Sequence, residues 1–183
     1  CVVPVLSVGT ITIDERFCGP PRSANGGYAC GSIAAFVDGS VEVTLLVPPP
    51  LNRAMQVCDT STGVELYDDE TLVGAARPAP VLVQAFEAPD FAVATQAASR
   101  TFPPETHTLP TCFVCGPHRR RGDGLRIFPG MLDTGVVAAP WLPADSLAGG
   151  NGKVAVEFLW AALDCPGYFA VSGGRRTMVL GEM

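Results

Sequence analysis

Gly26–Val37 reads G-G-Y-A-C-G-S-I-A-A-F-V, with Asn25 immediately before it. Asn is a strong N-cap, because its side-chain oxygen can take one of the unpaired N–H groups of a first helical turn. The twelve residues contain neither proline nor charge. They predict a helix that is apolar almost all round, the kind that is normally enclosed on most of its sides. Working outward, residues 8–13 (V-G-T-I-T-I) alternate and are β-branched, so they predict a strand. Residues 17–25 (F-C-G-P-P-R-S-A-N) form the loop between. After the helix come 41–47 (V-E-V-T-L-L-V), a P-P-P break at 48–50, and strand-like runs near 53–58, 64–67 and 71–76. Short turns separate the last three, which predicts an antiparallel meander. One buried helix with several antiparallel strands is an α+β plan, a sheet wrapped around a central helix.

The order then repeats loosely. Residues 77–111 are rich in Pro, Ala and Thr, with one strand or short helix expected near 81–97. Strand-like 125–128 (L-R-I-F) and 135–139 (G-V-V-A-A) lead to an apolar helix at 154–164, a break at Pro166-Gly167 and a last strand-like run at 177–180. We therefore divide the chain into a first unit at 1–98, a linker at 99–111 and a partial second unit at 112–183. The second unit lacks the strands that would cover its own helix, so further chain or a second subunit is expected to do so.

Composition narrows the class. The chain has 183 residues, 48% apolar and 16% charged, with a net charge of −6. That is enough for a sizeable core, and the apolar share excludes a disordered acidic chain. The negative balance argues against nucleic acid and anionic membrane surfaces as partners. No apolar run reaches the roughly 18 residues needed to span a bilayer. Seven cysteines at irregular spacing read as reduced thiols in a cytoplasm, not as a disulfide framework.

Three local patterns carry a family likeness: N-G-G-Y-A-C-G at Asn25–Gly31, C-F-V-C-G-P at Cys112–Pro117 followed by G-L-R-I at Gly124–Ile127, and A-A-L-D-C-P-G at Ala161–Gly167. In order and spacing the chain resembles the hotdog-fold thioesterase superfamily. The resemblance implies tandem hotdog units, hydrolysis of acyl-CoA thioesters, association as a homodimer, no cofactor and no metal. It also implies a composite site, in which the glycine turn of one unit faces the acid of the other. The departures leave one such site: Ala34 stands where the first helix would carry an acid, and Val156-Glu157 stand where the second would carry glycines.

The chemistry expected of that site follows from its residues. Free N–H groups at the helix N-terminus, at Gly26 and Gly27, would polarise a thioester carbonyl, with no Cβ to keep substrate off the backbone. Asn25 either caps the helix or turns its amide to substrate, and Tyr28 would line the site. Asp164 lies in an apolar stretch and is the expected base or nucleophile. Its plainer alternative is a carboxylate at an exposed helix end. Glu157 shares its helix face, as a backup acid or a solvated one. Arg119, Arg120 and Arg121 would hold the phosphates of coenzyme A, or else form a solvated loop. Cys112-x-x-Cys115-x-x-His118, with His107 nearby, offers metal-ligand types, but no second C-x-x-C completes a zinc set.

Overall fold

The computed structural model describes residues 6–83, 87–101, 105, 107–172 and 178–183. In chain order the elements are β1 (Ser7–Thr12), a 3-10 turn (Glu15–Phe17), α1 (Gly26–Ala34), β2 (Val41–Leu45), β3 (Ala54–Thr60), β4 (Gly63–Asp68), β5 (Thr71–Pro78), α2 (Phe91–Ala98), β6 (Gly130–Met131), β7 (Val137–Ala138), a second 3-10 turn (Asp145–Leu147) and α3 (Val156–Ser172). The first five strands form one antiparallel sheet in the order β1-β3-β4-β5-β2, and β6 pairs with β7. The architecture is α+β. None of the helices among the described residues is long and apolar enough to cross a membrane.

The sheet forms where alternation demanded it. Met55 and Val57 of β3, Val64 and Leu66 of β4, and Val73 of β5 point to one face. There they meet Ala29, Cys30 and Ile33 of α1. The other side of α1 is covered by α3, which explains why its sequence is apolar all round. Contact between the two helices is close because glycines line it. A Cβ on Gly27 would lie 2.5 Å from the Trp160 carbonyl oxygen and 2.9 Å from Ala161 Cα, and one on Gly31 would lie 2.6 Å from Glu157 Cα. These glycines make room for a helix.

The second half departs from its expected course in three places. Residues 125–128 are not a strand: Arg126 has φ 55°, and Leu125 and Ile127 donate their N–H groups back to Phe113 and Val114. The helix does not stop at 164 but runs through Pro166 to Ser172. An internal proline removes one helical hydrogen bond and costs about 3 kcal/mol. Ala161, Cys165 and Phe169, buried four residues apart on one face, offset that cost by tertiary packing. Lastly, α2, counted above with the first unit, packs on the β6–β7 pair.

Of the expected strand at 177–180, Thr177 lies outside the described residues. Pairing falls a little later: Gly181 and Met183 carbonyls accept from the N–H groups of Leu45 and Val43, at 2.6 and 2.8 Å. The final residues thus lie along the free edge of β2. The outward face of α3 carries Val156, Leu159 and Leu163, all exposed.

Gly27→Ala is expected to lose about 1–3 kcal/mol or more, since the obstruction is backbone and cannot turn aside. Gly167, also on α3, has nothing within 4 Å of its would-be Cβ, so Gly167→Ala should gain up to about 1 kcal/mol. Denaturant unfolding of the two variants checks both signs.

Candidate functional site

Asn25 sets the site because its backbone is fixed at both ends. It is almost fully buried, donates its N–H to the Phe17 carbonyl, and caps α1 by accepting the Tyr28 N–H at 2.9 Å on Oδ1. With its oxygen so engaged, its Nδ2 is directed across the helix interface to Asp164 Oδ2 at 2.8 Å. The Gly27 N–H donates to the same oxygen at 3.0 Å. Asp164 of α3 is thereby held at the N-terminus of α1, where unpaired N–H groups and the helix dipole favour negative charge. Burial pushes its carboxyl from the usual 3.8 up to about 6, against the opposing pull of the Gly27, Asn25 and Gly26 donors.

Asp164, Asn25 and Gly26 open on a cavity of about 170 Å³, walled mainly by apolar groups such as Pro49, Leu109, Tyr168 and Leu180. The Gly27 N–H expected to face a carbonyl is occupied by the carboxylate instead. The expected space above the glycines is filled too: Trp160 and Ala161 lie over Gly27, and Leu180 lies over Gly26.

The remaining candidates lie elsewhere. Tyr28 is stacked on Phe17 with ring centroids 4.2 Å apart, and Phe113 and Phe158 complete an aromatic cluster joining the two cores. Burial, with Glu157 and Asp14 nearby, pushes its phenol up to about 12. Glu157 sits on the first turn of α3 under Gly31 and does not line the Asp164 cavity. Arg119 is tied down. It donates to the Thr111 carbonyl at 2.8 Å and to Cys18 Sγ at 3.1 Å, and pairs with Asp123 at 3.1 Å. Arg120 and Arg121 are exposed, and none of the three arginines reaches the cavity wall.

What the sequence reading missed is a group of thiols. Cys165, one residue after Asp164, joins Cys112 and Cys115, and the three sulfur atoms lie within 4.8 Å of one another. All three residues are buried, and Cys112 Sγ stands 3.8 Å from Cys165 Sγ. Hydrogen bonds from the other two thiols and from backbone amides pull the Cys112 thiol well below the usual range; as donors, Cys115 and Cys165 are held above it. His107 lines the same cavity. Its Nδ1 accepts the Leu109 N–H at 3.1 Å, and its Nε2 is buried without a partner among the described residues. His118 is exposed and takes no part in the thiol group. A search for a second C-x-x-C could not find this group, because its third member is a single residue on a helix. The cue was the placing of Cys165 directly after the candidate acid.

No protein-family model, curated protein or solved structure matches the chain.

Asp164→Asn keeps an acceptor oxygen for both donors and removes a desolvated charge, so it should melt no lower than the unaltered protein at neutral pH. Asp164→Ala leaves the Asn25 amide and Gly27 N–H unpaired, a cost of about 1–3 kcal/mol. Thermal unfolding of both variants distinguishes a carboxylate kept for chemistry from one kept for the fold.

Proposed function

We propose that this chain is an acyl-CoA thioester hydrolase of hotdog type, acting as a homodimer in the cytoplasm and needing no organic cofactor. The observation that carries the reading is Asp164. A carboxylate from one half of the chain is fixed at the N-terminus of the helix of the other half, and it opens on an apolar cavity. The helix-then-four-strands order around α1, and the resemblance at Asn25–Gly31 and Ala161–Gly167, support it further. The exposed apolar stripe of α3 supports association.

In this reading the acyl chain lies in the apolar cavity, and Asp164 acts on the thioester carbonyl as nucleophile or as base for a water. As its charge passes to the carbonyl oxygen, the N–H groups that held the carboxylate become available to the developing oxyanion. Coenzyme A thiolate leaves as the carbonyl re-forms; on the nucleophile route a water then hydrolyses the acyl–Asp164 anhydride, and on the base route the attacking water has already formed the acid and Asp164 returns its proton to the thiolate. Of Arg119, Arg120 and Arg121, the last two have no side-chain partner among the described residues and can meet phosphates; Arg119 already has three partners.

One observation favours a second reading. The Gly27 N–H and the Asn25 amide are both spent on Asp164 before any substrate arrives. A chain that binds an acyl thioester without cleaving it would need no more than that.

A panel of acyl-CoAs assayed by release of free thiol is expected to show turnover. Asp164→Asn should lower it by roughly 10²–10⁴-fold while thermal stabilisation by a non-hydrolysable acyl-CoA analogue survives. Stabilisation without turnover in the unaltered protein establishes the second reading, and neither response to any acyl-CoA rejects both. Sedimentation equilibrium should give twice the chain mass; a monomer throughout removes the dimer from the proposal.

A further inference from the structure

We propose that Cys112, Cys115 and Cys165 bind a zinc ion on the wall of the Asp164 cavity, with the fourth coordination position facing that cavity. The first support is the placement of the sulfurs. Tetrahedral zinc with Zn–S bonds of about 2.3 Å sets sulfur atoms about 3.8 Å apart. Cys112 and Cys165 stand at 3.8 Å, and no pair among the three exceeds 4.8 Å.

The second support is the backbone between the first two ligands, which holds both cysteines in one tight turn. Cys112-Phe113-Val114-Cys115-Gly116 closes a turn in which the Gly116 N–H donates to the Cys112 carbonyl at 2.9 Å. A Cβ at Gly116 would fall 2.6 Å from the Cys112 nitrogen, so only glycine passes there. Three thiols gathered this closely can all give up their protons only to a cation, and a divalent ion offsets two of the resulting charges.

His107 shapes the fourth position without filling it. Because its Nδ1 accepts the Leu109 N–H, the ring proton sits on Nε2, and in that tautomer the imidazole is a donor and not a ligand. It lines the cavity as a buried donor without a partner among the described residues, suited to a water or anionic group on the metal. Loading converts three S–H groups to three sulfur–zinc bonds and releases their protons. The site needs no acyl substrate and is independent of the hydrolase reading. It departs from the metal-free site that the family likeness implies.

Metal analysis of the full chain purified from zinc-supplemented medium should give one zinc per chain, and chelation should lower its melting temperature. Cobalt(II) titrated into the stripped protein should produce thiolate-to-cobalt charge transfer and the intense ligand-field bands of a tetrahedral site. Cys112→Ser and Cys165→Ser should lose those bands; Cys58→Ser, outside the cluster, should keep them. Alkylation of the unaltered chain followed by peptide mapping decides the matter even if the serine variants fail to fold. Bound metal should protect Cys112, Cys115 and Cys165 and leave the labelling of Cys58 unchanged. The proposal is overturned by a stripped chain that gives no charge-transfer band, by protection at other cysteines, or by a Cys112–Cys165 disulfide in the isolated protein.

Discussion

The close approach of α3 to α1 is the constraint on which the rest of the structure depends. Two glycines one turn apart, Gly27 and Gly31, let the α3 backbone come within reach of the α1 backbone. At that separation Asp164 reaches the first turn of α1 and accepts from Gly27 and Asn25. The same approach sets Cys165 against Cys112 and Cys115, since Cys165 follows Asp164 and sits on the buried stripe of α3. Widening the helix pair by one methyl would disturb the carboxylate and the thiols together.

The arrangement also joins two cores that would otherwise be separate. One lies between α1 and the five-stranded sheet; the other surrounds the buried stripe of α3 and the Cys112–Cys115 turn. Phe17 and Tyr28 pack against both, and their stacked rings carry the contact. Tyr28 thus serves the interior, although its place directly after the glycine pair points equally to a site wall. Arg119 offers a similar lesson. A run of arginines reads as a phosphate-binding or solvated loop, yet the first of them is held by Thr111, Cys18 and Asp123. Runs of one residue type say nothing about which member folds inward.

Much of the first half was legible, because each element there obeys a local period. Alternation marked β1 to β5 to within a few residues, and Asn25 before an uncharged apolar run marked the start of α1. The second half was less legible. Pro166 signals a helix end on local grounds, but three buried side chains spaced by four keep the helix intact past it. Leu125–Phe128 looks like a strand by composition, while Arg126 in the left-handed region and hydrogen bonds to Phe113 and Val114 make it a wrap around the Cys112–Cys115 turn.

By itself the sequence determined the α+β class, the buried helix and the meander, since these follow from patterns within a few residues of each other. Tertiary structure alone decided what the glycines are for, which atoms Asp164 touches, and that a lone cysteine on α3 completes a group begun 53 residues earlier. The physical reason is that hydrogen bonds and sulfur contacts act over about 3–4 Å. Which residues come that close depends on how two helices pack, and helix packing depends on every side chain between them.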